Sequence, residues 1–254
     1  FEEVEEQEVY YLVHSFKEMA TKLEQLESMR AELLAGVTHE LKTPVTSISG
    51  LLQAVNDGVV TGEEAKEFLA ISLQETTRMQ NMVGDLLEFN SFTANAIPVT
   101  NKSVQIGEFM NEMIYQWEIV QEDQNVKVAL QHPSEKMSVL VDPLRLQQIM
   151  INLLNNAKQA IQGEGSIEIS VYKKDESYIG IDVRDNGSGI PPAEQDLIFE
   201  RFYRVDTARN SESQHYGLGL AIAKAIVTTH KGRIEVLCYD GHVEFVVQIP
   251  IVQK

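Results

Sequence analysis

The segment AGVTHELKTPV, residues 35–45, places a histidine and a glutamate side by side inside a long helical pattern. Apolar residues recur around this segment at mostly three- and four-residue steps, which is typical of a helix that buries one face. His39 stands two residues from the nearest apolar position on either side, about 200° around the helix from each. Its imidazole is therefore expected to face solvent while its neighbours pack.

Three interpretations fit an exposed His-Glu pair. It is most simply a solvated part of a helix, which is the usual case for a lone histidine. It also begins the HExxH pattern of zinc proteases, but the second zinc ligand would stand one turn later, where the sequence has Thr43. The third interpretation is a histidine that accepts a transferred group, which requires exposure, titration near neutral pH and an adjacent carboxylate for its proton. Glu40 would be that carboxylate.

Composition argues against several classes of function. The chain has 254 residues, 43% of them hydrophobic, which is enough for one large domain or two modest ones. A formal net charge of −17 argues against a nucleic-acid partner, because phosphate backbones are bound by an excess of lysine and arginine. The single cysteine, Cys238, rules out a disulfide within the chain. No apolar run approaches the roughly 20 residues of a membrane-spanning helix.

The first region, from the start to about residue 92, reads as helical almost throughout. Its one strong turn signal is Asn-Asp-Gly at residues 56–58, which predicts a helical hairpin. Thr61 and Glu64 stand in capping-box spacing where the second helix should begin. Two long antiparallel helices cannot enclose a core by themselves, so we expect two identical chains to form a four-helix bundle.

From residue 97 onward, helical and strand patterns alternate, which predicts an α/β sandwich. No internal repeat or low-complexity segment interrupts this alternation. The predicted helices cover residues 106–122, 144–161 and 219–229, and the predicted strands cover residues 126–130, 138–141, 167–172, 178–183, 233–237 and 243–249.

Packing of a hydrophobic core does not account for three polar clusters in this second region. Asn152 and Asn156 stand one turn apart on a helix whose leucines face the core, which suits a hydrated Mg²⁺. Asp185 follows a strand and precedes two glycines, where a carboxylate can accept a hydrogen bond from an exocyclic amine. The sequence GLGL at 217–220 opens a helix whose free N–H groups favour phosphate. Each cluster alone is common, but their order and their spacing of roughly thirty residues are specific.

Through these motifs the sequence resembles the bacterial sensor histidine kinases of two-component systems, over nearly its whole length. VTHELKTPV at 37–45 resembles the phosphoacceptor box of that family, and INLLNNA at 151–157 resembles its N box. DNGSGI at 185–190 resembles the first glycine box, IFERFYR at 198–204 the F box, and YGLGLAIAK at 216–224 the second glycine box.

The resemblance implies a multidomain organisation. Residues 1–28 are expected to be a HAMP-like signalling helix, because LVHSFKEMATKL resembles the last helix of that linker. Residues 29–96 would form the dimerisation and histidine phosphoacceptor hairpin, and residues 97–254 an α/β sandwich ATP-binding domain of the Bergerat type. The sequence begins with Phe1 rather than methionine, so it is expected to be a fragment of a longer protein. Because the HAMP linker follows a transmembrane segment in many such sensors, the resemblance implies the cytoplasmic portion of a bacterial cell-membrane protein whose sensor and anchor precede residue 1.

The resemblance also implies roles for individual residues. His39 would accept the phosphoryl group on Nε2, and Glu40 would orient Nδ1–H or take its proton. Thr43 would orient water for dephosphorylation of a response regulator, although a threonine beside Pro44 that bonds its own backbone is the alternative. Adenine would lie on Asp185, and Mg²⁺ on Asn156. The implied ATP-binding residues are Asn152, Asn156, Gln159, Asp185, Gly187, Gly189, Ile190, Tyr203, Arg204, Arg209, Gly217, Leu218, Gly219 and Leu220.

The chain departs from the family pattern at two positions. A lysine commonly stands three residues after the second N-box asparagine, but this sequence has Gln159 there and Lys158 one position earlier, about 100° away around the helix. The first glycine of the family's GxGLGL is here His215. Arg204 or Arg209 would then supply the missing positive charge.

The predicted function is ATP-dependent autophosphorylation of His39 in a homodimeric sensor kinase. The phosphoryl group would pass to an aspartate of a response regulator, toward which the protein is also expected to act as a phosphatase. One alternative is a degenerate, nucleotide-binding signalling scaffold, which Gln159 and His215 favour. A second is an ATP-hydrolysing conformational machine, against which Asn152 argues because such relatives carry a water-activating glutamate there.

Overall fold

The computed structural model describes residues 2–93, 100–121, 125–132, 137–161, 163–205, 216–239 and 241–250. The chain divides into two compact units, Phe1–Met79 and Gln80–Lys254. The division falls inside the second long helix, so the last turns of that helix belong to the second unit. Within the described residues, no helix combines the length and the apolar content that crossing a bilayer requires.

Two long helices account for the first part of the chain, as the sequence predicts. Helix α1 spans Glu2–Asn56 and helix α2 spans Gly62–Thr93. They are separated at the predicted Asn-Asp-Gly turn, where Gly58 adopts a positive φ of 69° that favours glycine. Thr61 directly precedes α2, and Glu63 and Glu64 lie in its first turn, where carboxylates interact favourably with the helix dipole.

An α/β sandwich follows. Its helices are α3 (Ile106–Val120), α4 (Pro143–Ala160) and α5 (Gly219–Thr229). Its strands are β1 (Lys102–Gln105), β2 (Val126–Gln131), β3 (Ser138–Val141), β4 (Gly165–Lys173), β5 (Tyr178–Asp185), β6 (Arg233–Tyr239) and β7 (His242–Pro250).

Five strands form the main sheet in the order β2-β4-β5-β7-β6. Strands β2 and β4 pair in parallel, and the other neighbours pair antiparallel. Burial alternates along β7, so one face of the sheet packs against the helices and forms one continuous core with them. Asp142 caps α4, because its side chain accepts hydrogen bonds from the backbone N–H groups of Leu144 and Arg145.

All the predicted helices and strands of the second region are present, with ends within two residues of the prediction. Strand β1 was not predicted; it has four residues and pairs with β3 in a separate two-stranded sheet. Its sequence KSVQ is too short for an alternating pattern to stand out. Two 3₁₀ helices at Pro192–Glu194 and Leu197–Phe199 were also not predicted.

Candidate functional site

The phosphoacceptor candidate lies on α1 in the first unit. The His39 side chain is 83% exposed, which confirms the orientation predicted from the helical pattern. Its Nδ1 lies 3.6 Å from Oε1 of Glu40, whose side chain is half-buried. This contact is longer than a hydrogen bond, but it places the carboxylate beside the nitrogen that would lose a proton if Nε2 reacted.

Thr43, one turn beyond His39, is exposed, and its hydroxyl differs in hydrogen bonding from those of Thr38 and Thr46. The hydroxyls of Thr38 and Thr46 donate to the carbonyls of Leu34 and Lys42, at 2.7 and 2.8 Å. Among the described residues, the Thr43 hydroxyl has no hydrogen-bond partner. The alternative of a threonine that bonds its own backbone is therefore not what the structure shows.

A cavity of about 1070 Å³ opens in the second unit. It is formed by α4, the loop after β5, the segment that follows Leu197–Phe199 and the start of α5. It brings together twelve of the predicted ATP-binding residues. They are Asn152, Asn156, Gln159, Asp185, Gly189, Ile190, Tyr203, Arg204, Gly217, Leu218, Gly219 and Leu220.

Among the described residues, one predicted ATP-binding residue does not line this cavity. Gly187 lies in the same loop but packs against the end of α4 rather than lining the cavity. Arg209 and His215 lie outside the described residues.

Asp185, at the end of β5, is buried in the wall of the cavity. Its Oδ1 accepts a hydrogen bond from the backbone N–H of Gly187 at 2.9 Å. Its Oδ2 has no partner among the described residues. Burial raises the pKa of this carboxyl from 3.8 to about 6, against the lowering effect of the Gly187 hydrogen bond. An unpaired acceptor on a residue of the cavity wall is suited to an exocyclic amine donor such as that of adenine.

Two glycines permit close approach of the backbone around the cavity. A Cβ on Gly187 would lie 2.6 Å from Cβ of Ala160, so only glycine lets this loop pack on the end of α4. Gly217 has a φ of 71°, and a Cβ there would lie 2.6 Å from the carbonyl oxygen of Tyr203. The first contact holds the loop after β5 on the end of α4, and the second holds the segment before α5 on the backbone of Phe202 and Tyr203.

Helix α4 presents a polar face to the cavity and an apolar face to the core. Leu153 and Leu154 are fully buried, whereas Asn152 and Asn156 line the cavity. A Cβ on Gly219 would lie 3.4 Å from Oδ1 of Asn152, so the start of α5 directly faces this helix. The Nδ2 of Asn152 has no partner among the described residues.

The donor set fits a magnesium ion that keeps most of its water. In the described part of the chain, no group of three or more His, Cys, Asp and Glu residues is arranged to hold a metal. Mg²⁺ commonly binds through a few protein oxygens, water and substrate phosphates rather than in a protein cage. The side-chain oxygens of Asn156 and Asn152 are suited to that mode.

The two residues at the missing lysine position point in different directions. Gln159 lines the cavity and carries no charge. Lys158 donates from Nζ to Oε1 of Gln121 at 2.7 Å, at the end of α3. The positive charge expected in the cavity is therefore not supplied by Lys158. A nearby contact also links α3 to α4, because the indole N–H of Trp117 donates to Oδ1 of Asn155 at 2.9 Å.

Sequence reasoning missed one part of the cavity wall, which comes from α2 and from the first turns of α4. Asp85 and Glu88 line the cavity from the end of α2, and Arg145 and Gln148 line it from α4. Burial, followed by the charge of Glu88, raises the pKa of Asp85 from 3.8 to about 6. The positions of Arg145 and Gln148 on the same helical face as Asn152 are the one sequence signal that could have revealed them.

Comparisons with known families match both regions of the chain. Residues 29–95 match the model of the His Kinase A (phospho-acceptor) domain. Residues 141–253 match the model named histidine kinase-, DNA gyrase B-, and HSP90-like ATPase.

Curated relatives extend the match across most of the chain. The sensor protein kinase WalK of Staphylococcus haemolyticus is 37% identical over 224 residues, which is 87% of this chain and 36% of that protein. A WalK of Staphylococcus aureus is 36% identical over 224 residues, again 87% of this chain and 53% of that protein. The chain spans about a third to a half of the length of these relatives.

Solved structures show the same fold. Acinetobacter baumannii histidine kinase AdeS has a TM-score of 0.69 at 24% identity, over 85% of this chain and 98% of that chain. Histidine kinase ThkA, solved in complex with the response regulator protein TrrA, has a TM-score of 0.71 at 24% identity, over 87% of this chain and 61% of that chain. With both domain models matched in order and WalK relatives at 36–37% identity, the chain belongs to the bacterial two-component sensor histidine kinases.

Proposed function

We propose that the chain transfers the γ-phosphoryl group of ATP to Nε2 of His39 and then to an aspartate of a response regulator. One observation carries this proposal. A single cavity gathers the three polar clusters, and Asp185 in its wall keeps an unpaired Oδ2 among the described residues, in a chain whose only His-Glu pair is exposed. The cavity supplies a nucleotide site, and His39 supplies an acceptor.

The proposed transfer balances with the residues present. A bond forms between Nε2 of His39 and the γ-phosphorus, and the bond from that phosphorus to the β,γ-bridging oxygen breaks, which releases ADP. The imidazole then carries an extra positive charge until Nδ1–H gives its proton to Glu40. Mg²⁺ bound at Asn156 would neutralise phosphate charge. The backbone N–H groups at the start of α5, near Gly219, would bind phosphate oxygens.

We propose further that two copies of the chain pair through α1 and α2. In the first unit, large apolar side chains are exposed in a single chain, which is unfavourable in water unless a partner covers them. Leu34 is 58% exposed and Leu73 is 70% exposed. Val45, Leu52 and Leu69 are exposed as well. A four-helix bundle from two hairpins would bury this surface, and it would present His39 to a response regulator.

The organisation of the complete protein is part of the same proposal. Residues 1–28 would be a HAMP-like signalling helix, residues 29–96 the phosphoacceptor hairpin and residues 97–254 the ATP-binding domain. The matched stretch is 36% of one WalK relative and 53% of the other, so both sensor kinases are longer than this chain. A sensor and a membrane anchor upstream of residue 1 would place the chain at the cytoplasmic side of the membrane.

Labelling with radioactive ATP tests the proposed function. Incubation of the chain with γ-labelled ATP and Mg²⁺ should leave a protein-bound label that acid removes and base does not, because a phosphoramidate is acid-labile. A label that survives acid would indicate a hydroxyl acceptor and would contradict the assignment. If no label appears and a titration shows that nucleotide binds only weakly, the scaffold alternative, which the uncharged Gln159 favours, becomes the better description.

Thr43 should separate the two activities of the protein. Thr43→Ala is expected to keep autophosphorylation and to lose most dephosphorylation of the phosphorylated response regulator, since only the second reaction needs a positioned water. Both rates are measured with the same regulator. The matched control is Thr46→Ala, which removes a hydroxyl that already donates a hydrogen bond to the backbone carbonyl of Lys42. This variant should change neither rate. Equal loss of both activities in Thr43→Ala would return Thr43 to a structural role.

Gln159 offers a test of how the cavity binds phosphate. A lysine at this position would extend from the face of α4 that carries Asn152 and Asn156 toward the phosphate chain, to which ATP brings one more negative charge than ADP. A charge-assisted hydrogen bond there is worth roughly 1.5 to 3 kcal/mol. Gln159→Lys should therefore tighten ATP more than ADP, which calorimetry on wild type and variant would measure. An unchanged ratio of the two dissociation constants would show that another cation, such as Arg204, already fills the role.

A further inference from the structure

An ion pair lies in the lining of the cavity. Nη1 of Arg145, in the first turn of α4, lies 3.2 Å from Oε1 of Glu88 near the end of α2. The same nitrogen donates to Oε1 of Gln148 at 3.1 Å. The guanidinium carbon lies 4.7 Å from the centroid of the Phe92 ring, and Phe92 is buried. The guanidinium group is therefore held in one position at the cavity wall rather than being free in solvent.

The position along α4 is the first argument that this arginine faces phosphate. The end of α4 adjoins the adenine-side loop, because Ser188 N–H donates to the carbonyl of Ala160 at 3.1 Å. Asn156 and Asn152 follow toward the start of the helix. Arg145 precedes Asn152 by seven residues, which is two turns and about 10 Å on the same face. A nucleotide whose adenine lies at Asp185 and whose phosphates pass Asn156 would extend its terminal phosphate toward Arg145.

The charge of the cavity is the second argument. Among the lining residues that the structure describes, Arg145 and Arg204 are the cationic side chains, and Asp85 and Glu88 are acidic side chains near the same end. Without a counter-ion, a nucleoside triphosphate would meet repulsion there. Burial, and after it the negative charge of Glu88, raises the pKa of Asp85.

The unused donors of Arg145 are the third argument. Its contacts to Glu88 and Gln148 both use Nη1. Arginine has five N–H donors in a planar fork, so Nη2 and Nε keep donors that these two contacts do not engage. Such a fork binds phosphate oxygens in pairs.

We propose that Arg145 binds the terminal phosphate of ATP and that Glu88 is its counter-ion when the site holds no nucleotide. When ATP binds, the guanidinium group of Arg145 leaves Glu88 and pairs with the terminal phosphate. The ion pair with a carboxylate is thereby replaced by one with a more highly charged group. This inference rests on the proposed function, because it requires ATP to bind in the cavity. It makes Glu88 a competitor of the γ-phosphate, and so a residue that lowers the affinity for ATP but not for AMP.

Three nucleotides and three variants test this proposal. Dissociation constants for ATP, ADP and AMP are measured by calorimetry with Mg²⁺ for wild type, Arg145→Gln, Glu88→Gln and the double variant. Arg145→Gln should weaken ATP about ten- to hundred-fold, ADP less, and AMP hardly at all. Glu88→Gln should tighten ATP several-fold and leave AMP unchanged. The gain from Glu88→Gln should disappear in the Arg145→Gln background, because it acts through the arginine.

Matched controls exist on the same two helices. Lys158→Gln removes a cation of α4 that is bonded to Gln121, outside the cavity lining. Glu63→Gln removes an exposed carboxylate of α2 that pairs with Lys66. Both variants should bind the three nucleotides as wild type does, which excludes a general effect of net charge.

Several outcomes would overturn the proposal. Equal weakening of ATP and AMP by Arg145→Gln would mean that the arginine acts through packing. A gain from Glu88→Gln that persists without Arg145 would mean simple repulsion of the nucleotide. If Arg145→Gln does not fold, Glu88→Gln alone decides, and an unchanged ratio of ATP to AMP affinity overturns the proposal. A wild-type chain that binds none of the three nucleotides would instead remove the proposed function, and this inference with it.

Discussion

His39→Gln is expected to abolish autophosphorylation completely while leaving the chain folded and able to bind nucleotide. The side chain is 83% exposed, so its replacement removes little packing and should change the free energy of unfolding by less than about 0.5 kcal/mol. Glutamine keeps a polar side chain but has no nucleophilic ring nitrogen. The measurement is incorporation of acid-labile label from ATP, together with thermal unfolding and ADP affinity of the same sample.

His14→Gln is the matched control, because it removes an exposed histidine from the same helix. It should keep wild-type labelling. If His39→Gln retained acid-labile label, the phosphoacceptor would have to be another residue. If the variant lost ADP binding as well, the loss of label would no longer identify His39 as the acceptor.

Asp185→Asn is expected to abolish detectable ATP binding. The amide would place either a donor or a rotated oxygen where the carboxylate now offers both the Gly187 contact and a free acceptor. Loss of a buried hydrogen-bond partner costs about 1 to 3 kcal/mol or more. Asn156→Ala should have a similar effect only when Mg²⁺ is present. Unchanged affinity of Asp185→Asn in calorimetry would refute the proposed adenine contact.

The same substitution should stabilise the chain without nucleotide at neutral pH. The folded-state pKa of Asp185 is about 6, above its ordinary value of 3.8, so its protonated form favours the folded state. This contribution is fully present below about pH 3.8 and is lost as the pH rises through about 6. Wild type therefore carries a penalty at pH 7.5 that asparagine lacks, of up to about 3 kcal/mol.

Thermal unfolding at pH 4.5 and pH 7.5 checks this expectation. The gain in Tm of Asp185→Asn should be larger at the higher pH. Asp57→Asn, at the exposed turn after α1, is the control and should show no such difference. A variant that is less stable than wild type at pH 7.5 would contradict the proposed cost of burying this carboxylate.

The sequence predicted the helices and strands well because their periodicity reflects burial directly. On α4, Leu153 and Leu154 are buried in the core, whereas Asn152 and Asn156 line the cavity. The helical spacing of these residues in the sequence therefore predicts both the core side and the cavity side of the helix. The short strand β1 could not be inferred, because four residues are too few to show a clear alternation of polar and apolar side chains.

The cavity wall from α2 was not predictable for a different reason. Asp85 and Glu88 read as solvated helix positions, since nothing in their local sequence distinguishes them from other acidic residues. Their place in the site depends on Phe89 and Phe92, which are buried with the core of the second unit. Such packing between distant segments is a tertiary effect that periodicity alone does not report.

Trp117 is the one tryptophan of the chain, and its indole bonds to Asn155 beside the asparagines of α4. Its indole fluorescence therefore comes from a single place in the protein, in contact with Asn155, the residue that precedes Asn156. Ultraviolet excitation of the unmodified protein would report ligand binding without a dye, a tag or a coupled enzyme. The nucleotide affinities of the cavity variants can then be measured by fluorescence titration, at protein concentrations too low for calorimetry.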